Sequence, residues 1–299
     1  MSKIDTKNIK GIITAIITPF KENKIDKKAY KNLIEMQVKA GINGVVPCGT
    51  TGESATLDFE EHEMMIDYTL EIVERRMLVI AGAGSNNTKE AIRLSRHAQK
   101  AGADAVLTIT PYYNKPTQNG MYEHFRAIAE EVDIPVILYN VPGRTGVNML
   151  PETVARLSEI KNIIGIKEAT GSLQQVTEIM SLCKKGFIIL SGDDFTALPS
   201  IAIGAKGVIS VTSNIVPAKM VQMFKAYESG NMEEAVNINL ELWQLHNAMF
   251  IESNPIPVKA AAHLMGWISN EIRLPLTPLS GANLNKLKSV MIAQGLING

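Results

Sequence analysis

The run Ile163-Ile164-Gly165-Ile166-Lys167-Glu168 is apolar and β-branched, as a strand buried on both faces requires, and yet it ends in a lysine. An ammonium at the end of such a strand loses solvation, which favours the neutral amine, the form able to attack a carbonyl. Lys167 is therefore a candidate Schiff-base nucleophile. The plainer reading is a lysine that marks the solvent end of its strand and snorkels outward. Two other segments bear on the choice. Val45-Val46-Pro47-Cys48-Gly49-Thr50-Thr51-Gly52-Glu53 runs from a short strand into a glycine-flanked Thr50-Thr51 pair, whose hydroxyls and backbone amides could hold a carboxylate. Val136-Ile137-Leu138-Tyr139-Asn140-Val141-Pro142-Gly143-Arg144 offers a phenol, Tyr139, at a strand end and a guanidinium, Arg144, in the next loop. Threonine-rich turns and loop arginines are common singly. Together these residues supply a nucleophile, an acid/base and two anion clamps.

Such side chains meet only if strands bring them to one place. Apolar segments near residues 12–17, 43–48, 77–82, 105–109, 135–139, 163–167, 187–191 and 207–211 read as buried parallel strands. Helical segments alternate with them: Asp58 with Glu61 and Asn87 with Glu90 fit capping boxes, Pro151-Glu152 fits a first turn, and Ala91, Leu94, Ala98 and Ala101 share a face. This alternation predicts an α/β fold, a (β/α)8 TIM barrel, rather than an open sheet. The dinucleotide-binding alternative lacks its fingerprint, since Gly82-Ala83-Gly84-Ser85-Asn86-Asn87 has no third glycine. From Pro217 onward only helical segments follow, including 232–251, 257–265 and 285–294, so a barrel over 1–228 and a C-terminal helical appendage over 229–299 are expected. Trp243, Met249, Phe250 and Trp267 read as core of that appendage. In a barrel, the ends of the strands and the loops after them form one rim. Thr50 and Thr51, Tyr112 and Tyr113, Tyr139 and Arg144, Lys167, and Gly192 would all fall on it.

Composition narrows the function classes. The chain has 299 residues, 45% of them apolar, and a formal net charge of zero, which suits one large globular enzyme and argues against a nucleic-acid partner. Cys48, in an expected strand, and Cys183, in an expected helix, have no metal or disulfide spacing, and the first residues lack a signal-peptide core. A cytoplasmic protein without a membrane span is expected. His62, His97, His124, His246 and His263 all fall in expected helices with no ligand-like spacing, so neither a metal nor another cofactor is expected. The loop Thr212-Ser213-Asn214 likewise offers no phosphate cradle.

Gly49-Thr50-Thr51-Gly52-Glu53-Ser54, Thr110-Pro111-Tyr112-Tyr113-Asn114-Lys115-Pro116, Tyr139-Asn140-Val141-Pro142-Gly143-Arg144-Thr145-Gly146 and Gly165-Ile166-Lys167-Glu168-Ala169-Thr170-Gly171 resemble, in order, the motifs of the 4-hydroxy-tetrahydrodipicolinate synthase (dihydrodipicolinate synthase) family. The resemblance extends to Asn254-Pro255-Ile256-Pro257-Val258-Lys259. That family belongs to the N-acetylneuraminate lyase superfamily of pyruvate-dependent class I aldolases. Its members condense pyruvate with L-aspartate 4-semialdehyde in lysine and diaminopimelate biosynthesis. Arg144 separates this reading from a sugar-acid aldolase or N-acetylneuraminate lyase, which lacks the arginine in this loop.

By that resemblance Lys167 forms the Schiff base, and Tyr139, Thr50 and Tyr113 relay protons, with Tyr113 contributed across a tight dimer interface. Thr51 holds the pyruvate carboxylate, Arg144 that of the semialdehyde, and Gly192 and Ile209 line the pocket through backbone carbonyls. A homotetramer made of two tight dimers is the implied assembly. Ser54, Ala55, His62, Asn86, Glu90 and Tyr112 match an allosteric site for lysine. Phe59 departs from the histidine that strongly inhibited members often place there, so weakened or absent feedback is expected.

Overall fold

The computed structural model describes residues 9–299. Its parallel strands close into a barrel in the order β1 (Gly11–Ala15), β10 (Gly207–Ser210), β9 (Ile188–Ser191), β8 (Ile163–Glu168), β7 (Val136–Asn140), β6 (Ala105–Ile109), β5 (Leu78–Gly82) and β4 (Gly44–Val46), which pairs again with β1. The expected (β/α)8 barrel is therefore present, with strand ends within a few residues of those read from the sequence. Strand β4 stops at Val46, so Cys48 lies in the following turn with φ +53°, not in a strand. An antiparallel hairpin, β2 (Phe20–Lys21) with β3 (Lys24–Ile25), sits after β1 and was not expected. At two residues per strand it is too short to show an alternating pattern.

Helices α1 (Lys27–Ala40), α2 (Phe59–Val73), α3 (Thr88–Ala101), α4 (Gln118–Glu130), α6 (Pro151–Ser158), α7 (Leu173–Leu182) and α8 (Ala197–Ala202) return the chain between strands, α9 (Pro217–Glu228) follows the last strand, and a short α5 (Pro142–Thr145) carries Arg144. Helix α2 starts with the expected capping box, Asp58 accepting from the Glu61 amide and Glu61 from the Asp58 amide. Asn87 caps α3 differently. Its side chain accepts from the Lys89 amide, while Glu90 takes bonds from the Ser85 hydroxyl and the Asn87 side-chain amide. Helix α7 ends at Leu182, which makes Cys183 its C-cap rather than a helical residue.

The strands are apolar on both faces because each face packs on something different. Outward side chains such as Val45, Val79, Leu138 and Ile166 join helix residues in a large outer core. Inward ones, including Ile13, Val46, Ile80, Leu107, Ile137, Leu190 and Ile209, fill the barrel. Each such aliphatic side chain contributes about 1.5–3 kcal/mol on burial, so neither face can be polar without a partner. Tyr139 belongs to the inner set, at the site end of its strand.

The chain then adds α10 (Met232–Ala248), α11 (Ile256–Leu264) and α12 (Gly281–Ala293). Met249 is fully buried, as expected, whereas Trp243 is 43% exposed and rests edge-on against Phe195. It shares an outward stripe of α10 with Met232, Val236 and Leu240, so part of the appendage's apolar content is surface rather than core.

Candidate active site

Parallel pairing of β7 with β8 sets Tyr139 opposite Lys167 and Asn140 opposite Glu168. Lys167 is 6% exposed and does not snorkel; its Nζ lies 4.2 Å from the centre of the Tyr139 ring. The next pair is wholly polar and buried. Asn140 and Gln175 donate to one Glu168 oxygen at 2.9 and 3.3 Å, and the Thr170 amide donates to the other at 2.8 Å. Burial still raises the Glu168 carboxyl above its usual range, with the hydrogen bonds opposing. Asp193, in the turn after β9, is pushed up to about 6, first by burial and then partly offset by the charge of Lys167. Neither acid was singled out in the sequence, because each lies just past the end of an expected strand, where a carboxylate carries no signal of burial.

The turn after β4 presents Thr50 and Thr51. It is closed by Gly52 N to Gly49 O at 3.0 Å and Glu53 N to Thr50 O at 3.1 Å, and Glu53 adopts φ +57°. Strand β5 presses against this turn: a Cβ on Gly82 would run into the Cys48 carbonyl, so only glycine allows the approach. Thr51 is buried, and its hydroxyl accepts from the Asn254 side-chain amide at 2.9 Å. Asn254 also accepts at its backbone oxygen from Arg144 Nη2 at 2.9 Å. One residue of the C-terminal region thus touches both candidate anion clamps. Most of the Arg144 fork remains for a ligand, since a guanidinium has five N–H donors.

A cavity of about 610 Å³ gathers these parts. Thr50, Tyr139, Arg144, Asn254 and Tyr112 line it, and so do Ser54, Ala55, Phe59, His62 and Glu90 from the second expected site. Asn86 is not in its wall but donates to the Tyr112 carbonyl at 3.1 Å. Lys167, Thr51, Gly192 and Ile209 do not line it either. Lys167 reaches the group through Tyr139, and Gly192 through the strand network, its amide donating to Glu168 O at 2.7 Å. Ile209 is fully buried in the inner core. Tyr113 stands apart from all of them: it is 88% exposed, with φ +70°. Burial lowers His62 to about 4, so it is neutral at physiological pH.

The arrangement can bind a carboxylate, form an imine and move a proton between hydroxyls. No group of three or more His, Cys, Asp or Glu among the described residues could hold a metal, and no helix among them is long and apolar enough to cross a membrane.

Residues 8–294 match the Dihydrodipicolinate synthetase family. A 4-hydroxy-tetrahydrodipicolinate synthase of Geotalea daltonii is 57% identical over 288 residues, 96% of this chain and 99% of its own. Among solved structures, a monomeric dihydrodipicolinate synthase variant is 46% identical with a TM-score of 0.94, over 96% of this chain and 97% of that one. The enzyme from Cyanidioschyzon merolae with lysine bound is 41% identical with a TM-score of 0.93, over 96% of this chain and 99% of that one.

Proposed function

The chain belongs to the dihydrodipicolinate synthetase family, and from that premise we propose that it condenses pyruvate with L-aspartate 4-semialdehyde to give 4-hydroxy-tetrahydrodipicolinate, the entry to lysine and diaminopimelate formation. The observation that carries the reading is Arg144, held at the cavity wall by Asn254 beside Tyr139 and Thr50. A polyhydroxyl sugar chain has no use for a guanidinium as a second anion clamp; a second carboxylate does.

In this proposal Lys167 Nζ attacks the pyruvate ketone, and loss of water leaves an iminium. The iminium withdraws electrons, the methyl group gives up a proton, and an enamine results. Its carbon adds to the aldehyde, whose oxygen becomes the ring hydroxyl. The amine of the semialdehyde then closes onto the imine carbon and releases Lys167. Tyr139, Thr50 and the partner subunit's Tyr113 carry the protons. Thr51 holds the first carboxylate and Arg144 the second, while Gly192 and Ile209 offer backbone carbonyls.

The assembly proposed with this mechanism is a tight dimer, paired into a tetramer. Tyr113 is too exposed to serve the cavity of its own chain. The stripe Met232, Val236, Leu240 and Trp243 on α10 is the kind of apolar face a second contact covers. The monomeric relative makes the state worth measuring directly, and sedimentation as a single chain would remove the shared Tyr113 from the relay. A cytoplasmic setting would keep the free thiols of Cys48 and Cys183 reduced. Lysine, bound at Ser54, Ala55, His62, Asn86, Glu90 and Tyr112, is the proposed effector.

The test is a panel of second substrates with pyruvate in excess. Turnover of L-aspartate 4-semialdehyde alone supports the proposal. Turnover only of N-acetylmannosamine or short sugar aldehydes would move the chain to the lyase branch with Lys167 intact.

A further inference from the structure

We propose that Lys259 and Glu53 form a positioning pair that fixes the Thr50-Thr51 turn for pyruvate. The inference rests on the pyruvate-binding part of the function proposed above. The turn from Cys48 to Glu53 contains two non-glycine residues in the left-handed region, at φ +53° and +57°. Such a backbone persists only where its surroundings determine it. The hydrogen bonds inside the turn, together with Thr18 donating to Gly52 O at 2.8 Å, hold its middle. Its end is held from far along the sequence. Lys259 Nζ lies 2.5 Å from Glu53 Oε1, both side chains nearly inaccessible at 3% and 1%, and the Arg273 amide donates to Glu53 Oε2 at 3.2 Å.

Lys259 is well placed to pass that constraint on. It lies in the first turn of α11, its amide bonded to Pro255 O at 3.0 Å, one residue from Asn254. The same helix start therefore grips the turn twice, at the Thr51 hydroxyl through Asn254 and at Glu53 through Lys259. Lys259 Nζ and the Arg273 guanidinium each sit 4.3 Å from the centre of the Phe20 ring, so the hairpin and the segment after α11 are tied into the same point. A buried ion pair is seldom better for stability than apolar residues of equal volume. What it adds here is direction, since a carboxylate with two donors can take only one orientation.

Borohydride trapping of the Lys167–pyruvate imine, followed by intact mass, reads this turn without the second substrate. Glu53→Gln/Lys259→Met removes both charges at similar volume. We expect it to keep the wild-type circular dichroism spectrum and to need about tenfold more pyruvate for half-maximal trapping. A purely structural pair would lower the amount of trappable protein or its melting temperature and leave half-saturating pyruvate unchanged, which would overturn the inference. Should the double variant not fold, the same comparison on Glu53→Asp, which keeps both charges of the buried pair but shortens the reach of the carboxylate, decides it. If the wild type traps pyruvate but turns over no semialdehyde, only the second substrate is wrong. If it traps no pyruvate, both proposals fall.

Discussion

Lys167 and Tyr139 face each other across paired strands, with the ammonium 4.2 Å from the ring centre. The ring offers a cation its negative face, so in the proposed mechanism the phenol group has two separable jobs: it packs the nucleophile and it carries a proton. Tyr139→Phe keeps the first and removes the second. The imine should still be trapped, but turnover should fall on the order of 100-fold, the usual share of a positioned acid/base. Lys167→Ala should abolish trapping altogether. Trapping in Lys167→Ala at the wild-type rate would assign the nucleophile elsewhere.

The Arg144 side chain makes one hydrogen bond, to Asn254 O, and the residue is otherwise exposed. Arg144→Ala should therefore melt close to the wild type. A lost charged clamp costs about 1.5–3 kcal/mol, so KM for the semialdehyde should rise roughly 10- to 100-fold. Half-saturating pyruvate in the trapping assay should stay put. A change in pyruvate alone would reverse the assignment of the two clamps.

The barrel was legible because every strand is apolar on both faces, a pattern that survives without any knowledge of what it packs against. Lys167 and Tyr139 were legible for the converse reason, as polar groups ending apolar runs, and Arg144 as a charge in the loop after one. Short elements were not: the hairpin at Phe20–Ile25 and the four-residue α5 fall below the length at which periodicity means anything. Nor was the support behind the Thr50-Thr51 turn. Lys259 is a lone lysine in the apolar run Ile256-Pro257-Val258-Lys259-Ala260-Ala261-Ala262, which signals burial, but its partner is 206 residues away and no local pattern selects Glu53. Trp243 was misread because helical spacing identifies an apolar face without telling whether this chain or another covers it.

Asp193 makes stability depend on pH. Its carboxyl is raised to about 6 in the folded chain, mainly by burial, against about 3.9 when unfolded. Between those values the folded state keeps a proton that the unfolded state releases. Stability from this group is thus fully present below about pH 4 and is lost as pH rises through 6. Glu168, raised by burial as well, acts in the same direction. Asp193→Asn should consequently be more stable than the wild type at pH 7 by about 1–2 kcal/mol, after discounting for partial exposure, with the gap closing below about pH 4. Melting temperatures across pH 4 to 8 test this, and a gap that widens on acidification would contradict it.

On the proposal that lysine is an effector, Phe59 is the residue expected to weaken its hold. It lines the same cavity as His62 and Glu90, and its ring is covered by the Arg93 guanidinium at 4.2 Å. A hydrocarbon ring occupied by a cation cannot accept a hydrogen bond from an incoming ammonium. Glu90, the carboxylate of that site, already accepts from Ser85 and Asn87. Activity should therefore persist above half its maximum at about 1 mM lysine, an affinity worth about 4 kcal/mol. Phe59→His should tighten inhibition by roughly tenfold, the equivalent of one recovered hydrogen bond. Half-inhibition of the wild type well below that concentration would mean that Glu90 and Tyr112 bind lysine without help from position 59, and that the aromatic ring there is no barrier to feedback.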